Sequence, residues 1–361
     1  MMKAKIIGAG SIGNHLSNAC RTLGWKVDLC DIDSKALERT KKLIYPSRYG
    51  KWDKEIGLFD MKDAPTGGYD IIFIGTPPDS HIKIALDAIK EKPKAICIEK
   101  PVCQPNLNKL AYLVNILKKN RIFAFVGYDH VVGNAAEYAS RIIKKFELKD
   151  LEYMEIEIKE HWEGIFKAHP WLAGPKDSYL GFYRRGGGAC SEHSHGINLL
   201  QYFASLVGAG KVKKVSAFHS YVKTKTLNYD KISSLNILTE KGLNCRVFQD
   251  VVTKPTSKKL RIVTNSGYIE WICNYKKNVD AVLWKNKNVF KKKEFLKTRA
   301  DDFINEIKHL KKMMSKKYKS PISLTNGADT MMVISAAHKS ALLNKSVTID
   351  YNKGYKLTSI K

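Results

Sequence analysis

The 361-residue chain is 44% hydrophobic and 27% charged, which excludes a disordered protein and leaves enough apolar material for two domains with cores of their own. No apolar run approaches the ~18 residues of a spanning helix, so no membrane partner is expected. The formal charge is +27, yet the lysines are scattered as pairs and the longest run is Lys291 to Lys293. That pattern predicts a solvated lysine-rich surface and no nucleic-acid partner, and leaves open a positive field that would raise the arrival rate of anionic ligands. Seven cysteines, at 20, 30, 97, 103, 190, 245 and 273, show no C-x-x-C pair. They predict buried free thiols and no metal centre. The first strand begins almost at once, which predicts a chain without a secretory leader in the reducing cytoplasm.

Ala4 to Ile7 is a short apolar run, followed by Gly8, Gly10 and Gly13 in G-x-G-x-x-G spacing and an amphipathic helix from Leu16 to Leu23. Strand, glycine turn and helix in that order form a dinucleotide site. The first glycine permits the turn, the second admits a pyrophosphate, the third lets helix and strand pack, and the phosphates rest on free helix N–H groups. Gly8, Gly10, Ser11, Ile12 and Gly13 are the expected phosphate-binding residues. Trp25 to Asp31 reads as the second strand, with Asp31 lying 18 residues past Gly13. An acid there accepts hydrogen bonds from the adenosine ribose and repels a 2′-phosphate, which predicts NAD rather than NADP. The competing reading makes Asp31 and Asp33 turn or cap residues before a helix over Ser34 to Leu43.

Tyr69 to Gly75 reads as a buried third strand, His81 to Lys90 as a helix, and Ala95 to Ile98 as the fourth strand. A helix over Leu107 to Lys119 and a strand over Arg121 to Gly127 close an α/β domain, residues 1–128, with a doubly wound parallel sheet. Asn134 to Phe146 is helical, Tyr153 to Glu160 alternates as a half-exposed strand, and a helix runs near 192–206. Strands are expected at 212–222, 233–241, 243–253, 259–264, 267–273 and 281–285, joined in part by the turns Glu240-Lys241-Gly242 and Asn265-Ser266-Gly267. With helices at 300–314 and 326–343, residues 129–361 read as an α+β domain built on a large, mostly antiparallel open sheet. The helix near 326–343 is expected to return to the first domain. A sheet face without helices predicts burial against a second copy, as a homodimer or homotetramer.

Chemistry-bearing residues cluster at strand ends and at one helix. The Gly75-to-His81 segment follows the third strand, and Thr76, Pro77 and His81 are assigned to the cofactor, with Asp79 or Ser80 capping the next helix. Glu99-Lys100-Pro101 places an ion pair after a buried strand, which is costly unless the charges are used or paired. Gly186-Gly187-Gly188 leads into a helix on which Glu192 and His195 are three residues apart and therefore expected to be neighbours, with Asn198 on the same polar stripe. His195 would take a proton from an alcohol, and Glu192 would orient the imidazole. A zinc site of Glu192, His193 and His195 is not favoured, because no second ligand cluster accompanies it. Arg184 or Arg185 could bind a carboxylate or phosphate on the substrate, and His161 and Trp162 could line its pocket.

Together these features make the chain similar to the glucose–fructose oxidoreductase / inositol dehydrogenase / MocA family. The shared features are Gly8-Ala9-Gly10-Ser11-Ile12-Gly13, Cys30-Asp31, Gly75 to His81, Glu99-Lys100-Pro101, Val126-Gly127-Tyr128, the triple glycine with its helix, and Ala336-Ala337-His338-Lys339-Ser340. The resemblance implies a nicotinamide-dependent enzyme acting on a carbinol of a sugar, cyclitol or nucleotide sugar. It makes Lys100 the active-site lysine and puts Glu99 and Lys100 beside the nicotinamide ribose. Glu192 stands where many members carry an aspartate. Gly196 stands where the usual order has a histidine, so His195 becomes the proton acceptor, as in a subgroup with Ser-His here. Gly196, Asn198 and the Tyr128-Asp129-His130 run depart from the usual residues and point to an altered substrate pocket. The alternative is a non-catalytic NAD or metabolite sensor on the same scaffold, against which Lys100, Glu192 and His195 argue.

Overall fold

The computed structural model describes residues 1–315 and 319–361. Its first part runs β1 (Lys3–Ile7), α1 (Ser11–Thr22), β2 (Lys26–Asp31), α2 (Ser34–Arg39), α3 (Tyr45–Tyr49), β3 (Ile56–Asp60), β4 (Ile71–Ile74), α4 (Pro78–Ala88), β5 (Ala95–Ile98), α5 (Leu110–Lys119) and β6 (Phe123–Val126). All six strands pair in parallel in the order β3-β2-β1-β4-β5-β6. The order reverses between β1 and β4, and the crevice beyond their carboxyl ends is where such sheets bind ligands. The central strands are buried on both faces, as helices on each side require.

Two corrections follow within this sheet. The strand ending near Gly75 is the fourth in the chain and that ending near Glu99 the fifth, because β3 intervenes. Its five residues hold one buried side chain and a glycine, so neither periodicity nor an apolar run marks it. The helix expected to reach Leu43 stops at Arg39, and a π-helical turn, Thr40–Ile44, links it to α3.

The second part runs α6 (Asn134–Ile143), β7 (Leu151–Lys159), α7 (Glu163–Ala168), α8 (Gly188–Glu192), α9 (His195–Leu206), β8 (Val212–Lys223), β9 (Asn228–Thr239), β10 (Asn244–Asp250), β11 (Ser257–Thr264), β12 (Gly267–Lys276), β13 (Val279–Asn286), β14 (Val289–Leu296), α10 (Arg299–Ser315), α11 (Leu324–Leu343) and β15 (Val347–Thr348). Nine strands form one sheet in the order β14-β13-β12-β11-β7-β10-β9-β8-β15, antiparallel except for the β7–β10 pair. The edge strand β14 was not foreseen, because Val289 to Leu296 carries no buried residue and three consecutive lysines; such charge blunts a free edge.

Cross-strand partners share a face. One row, Val215, Ile237, Cys245, Met154, Ile262 and Ile269, is wholly buried beneath the helices. The opposite face carries Tyr153, Phe218 and Phe290 among charged neighbours, with Phe218 70% exposed. The chain then returns to the first sheet. The Val126 N–H donates to the Ile322 carbonyl at 2.9 Å, Gly327 of α11 packs against Val126, and Ser335 Oγ donates to the Pro105 carbonyl at 2.7 Å. In α10, Phe303 stacks on His15 of α1 at 4.5 Å. A single apolar cluster therefore continues through both parts. Among the described residues, no helix is long and apolar enough to cross a membrane.

Candidate active site

The glycine turn between β1 and α1 has a different reason for each glycine. Gly8 has φ +111° and a Cβ there would stand 2.7 Å from the Gly75 carbonyl oxygen, so the turn and its neighbour β4 exclude a side chain. A Cβ on Gly13 would overlap the Gly8 carbonyl oxygen. Gly10 faces open space. No side chain caps α1, so its leading N–H groups remain free to meet a phosphate. Arg48 adds charge beside that turn, donating to the Ser11 carbonyl at 2.9 Å and to Ser11 Oγ at 2.8 Å. Asp31 accepts the Ala9 N–H at 2.7 Å and the Asp33 N–H at 2.9 Å, while Asp33 caps α2 through the Lys35 N–H. Asp33 is thus the cap of α2, and Asp31 takes up turn contacts at the end of β2. Asp31 stiffens the glycine turn and keeps lone pairs for a ribose. The open side at Gly10, the free helix end and this acid together fit NAD.

The reacting groups gather beyond β5 and β6. Lys100 Nζ donates to Glu192 Oε1 and to the Glu192 carbonyl, both at 2.9 Å. Tyr179 donates to Glu192 Oε2 at 3.2 Å. Glu99 is buried against Gly127, and burial raises its carboxyl to about 7, with Lys100 opposing and Asp129 adding to the rise. His195 stacks on His130 with ring centroids 4.5 Å apart and meets the Tyr128 ring edge-on at 5.5 Å. Its Nδ1 lies 3.5 Å from Asp129 Oδ1, an electrostatic contact longer than a good hydrogen bond. The same oxygen is 2.7 Å from His130 Nδ1, and Asp129 Oδ2 accepts from Arg299 at 2.7 Å. Burial disfavours the Asp129 charge, but His130 and Arg299 outweigh it and hold the carboxyl well below the usual range. Burial and His130 lower the His195 imidazole well below 6.5, so it is neutral at ordinary pH and able to accept a proton.

Residues 2–128 match the model of the GFO/IDH/MocA oxidoreductase family, which has an NAD-binding Rossmann fold. Residues 2–128 are therefore similar to the NAD-binding domain of that oxidoreductase family. NAD is the cofactor of this family's domain, in agreement with the glycine turn and Asp31. No curated protein matches the chain by sequence. Solved structures are similar over its whole length. An NAD-binding oxidoreductase from Klebsiella pneumoniae is 14% identical with TM-score 0.76, over 96% of this chain and 98% of that one. Levoglucosan dehydrogenase in complex with NADH and L-sorbose is 16% identical with TM-score 0.77, over 96% and 98%. The WlbA dehydrogenase of Bordetella pertussis, in complex with NADH and UDP-GlcNAcA, is 14% identical with TM-score 0.72, over 96% and 98%. At such identities the likeness is one of fold.

Against this GFO/IDH/MocA frame, several expected site residues need reassignment. Glu192 does not orient His195. The helix breaks after Glu192 and restarts at His195, so the two are not on one helical surface; Glu192 turns to Lys100, and the carboxylate beside the imidazole is Asp129. His81 is fully buried between the carbonyls of Thr76 at 2.6 Å and Pro101 at 3.0 Å, so it ties two site loops together instead of facing the cofactor. Thr76 and Pro77 stay partly open at the strand end, with Thr76 Oγ1 2.7 Å from Ser80 Oγ. Asp79 caps nothing; it pairs with Arg185 at 2.6 Å across the cleft, which occupies that arginine. Arg184 is exposed and donates to the Tyr183 hydroxyl at 3.2 Å.

Four further residues expected at the substrate make structural contacts. Tyr128 is wholly buried, its hydroxyl 3.3 Å from Ser194 Oγ. Trp162 belongs to a small core with Leu180, Ala189 and Val251. Asn198 bonds Thr330 Oγ1 at 3.1 Å, joining α9 to α11. His161 accepts the Glu163 N–H at 3.0 Å, which starts α7.

Sequence reasoning marked Asp129 and His130 only as a departure in the 128–130 run and gave no role to Arg299, Tyr179, Glu160 or Lys258. Glu160 and Lys258 pair at 2.6 Å near the end of β7; burial would raise the Glu160 carboxyl, but Lys258, helped by His193 and His130, brings it down to about 2. The departure at 128–130 was the one visible signal for the Asp129–His130 pair. Nothing local marks Arg299 or Lys258, which arrive from distant elements.

Proposed function

We propose that this protein is an NAD-dependent dehydrogenase or reductase that acts on a secondary alcohol or its ketone in a sugar, cyclitol or nucleotide sugar. The observation that carries the reading is the convergence of Lys100 and a neutral His195 beyond the strand ends that border the NAD cradle. NAD, when bound, supplies the hydride acceptor. Lys100 spends two of its three N–H donors on Glu192, which fixes the ammonium and leaves the third for the substrate oxygen. His195 has Nδ1 toward Asp129, so Nε2 is the nitrogen that takes the hydroxyl proton, and the Asp129 carboxylate steadies the imidazolium that forms. His130 and the Glu160–Lys258 pair offer donors and acceptors suited to neighbouring hydroxyls, as a polyol requires. The uncovered sheet face, with Tyr153, Phe218 and Phe290, supports association with a second copy.

The test is formation of NADH by the purified protein across a panel of neutral sugars, cyclitols, uronic acids and nucleotide sugars. Turnover with at least one polyol and NAD, weaker with NADP, is expected. NAD binding with no turnover in either direction across the panel would favour the sensor reading instead.

A further inference from the structure

Away from the cofactor, β8, β9 and α11 bring two histidines and an aspartate together inside the second domain. A register shift between Ser220 and Tyr221 sets Tyr221 opposite Asp230 and turns this end of β8 toward the helices. His219, Asp230 and His338 each offer a ligand atom, all within 4.8 Å of one another, and all three residues are buried. Tyr221 Oη lies 2.9 Å from His338 Nδ1 and 3.2 Å from His219 Nδ1. Tyr221 Oη can accept from both Nδ1–H groups, and in that tautomer each Nε2 carries a lone pair. His219 Nε2 faces Ser233 Oγ at 3.0 Å. His338 Nε2 and Asp230 Oδ1 have no partner at all, although His338 is 3% exposed and Asp230 0%. Asp230 Oδ2 accepts the Cys190 N–H at 2.7 Å, and Asp230 Oδ1 sits where a Cβ on Gly188 would fall. The first residue of α8 must therefore be glycine for the carboxylate to fit.

Buried polar atoms left without a partner each cost on the order of 1–3 kcal/mol. Nitrogen, nitrogen and carboxylate oxygen, with a phenol fixing the imidazoles from behind, is the donor set of a borderline divalent cation. We propose that His219, Asp230 and His338 form a zinc site that pins α11 to the β8–β9 hairpin and holds α8, which carries Glu192, in place. A contraction of up to about 1.5 Å would bring the ligand atoms from within 4.8 Å to the ~3.3 Å edges implied by tetrahedral bonds of 2.0–2.1 Å. The remaining position is filled by Ser233 or a water.

Protein produced without a polyhistidine tag, in zinc-supplemented medium, is assayed for metal after dialysis, and the cobalt-substituted form is recorded in the visible range. The wild type should hold stoichiometric zinc, show the absorption of four-coordinate cobalt, and lose thermal stability on chelation. His338→Gln and Asp230→Asn should lose the metal, whereas Tyr221→Phe should keep the ligands but bind roughly 10–100-fold more weakly. Wild-type protein with no more metal than His338→Gln, and no cobalt band, would overturn the site and leave a buried water or an Asp230 proton as the bridge. The wild-type measurements decide even if a variant fails to fold.

Discussion

The carboxylate of Asp129 faces two imidazoles through one oxygen and a guanidinium through the other. Arg299 keeps it charged, and its charge is the one effect that raises the His195 basicity against burial and His130. Asp129→Asn should therefore lower the rate of alcohol oxidation roughly a hundred-fold or more, with NAD affinity unchanged. The sign of the pH response is fixed as well. His195 is already neutral well below 6.5, so oxidation loses rate only below the ordinary histidine range. Losing the Asp129 charge moves that acid limb lower still. A pH–rate profile in which the limb rises, or a variant with full turnover, would remove Asp129 from this role. The residue was readable only as an oddity of the Tyr128-Asp129-His130 run, because its partners His195 and Arg299 are distant in the chain.

At the scale of elements, β1, the glycine turn and α1 were legible because each step has a local cause: an apolar run, a spacing, a periodicity. Gly10 and Gly13 separate binding from folding. Gly10→Ala meets open space and should fold with unaltered thermal stability while weakening NAD at least about tenfold, or ~1.4 kcal/mol. Gly13→Ala meets the Gly8 carbonyl and should lose stability by about 1–3 kcal/mol in the absence of cofactor. Thermal melts and NAD titrations of both variants check the contrast; equal behaviour would sink it. The α8–α9 break was not legible. Residues near 192–206 read as one helix, yet His193 and Ser194 fall outside both α8 and α9. That single interruption turns Glu192 from a partner of His195 into a partner of Lys100. β14 escaped for the opposite reason, since an edge strand held by backbone bonds to β13 needs no buried side chain.

For the molecule as a whole, the chain crosses between its two parts more than once, and the site exists only where they meet. Lys100 comes from the first sheet, Glu192 and His195 from helices on the second, and Arg299 from α10, which also stacks Phe303 on His15 of α1. Alternating strands and helices made the first architecture readable and consecutive hairpins the second, but no periodicity reports which distant residues share a cleft. The formal charge of +27 suits an anionic cofactor. The central claim is that Lys100, held by Glu192 across the two parts, acts on the substrate oxygen and not on NAD. Its most direct test is single-turnover hydride transfer by Lys100→Met beside the wild type, with NAD affinity measured on the same samples. The account predicts transfer slowed roughly a hundred- to ten-thousand-fold with NAD affinity nearly unchanged; transfer at the wild-type rate would contradict it.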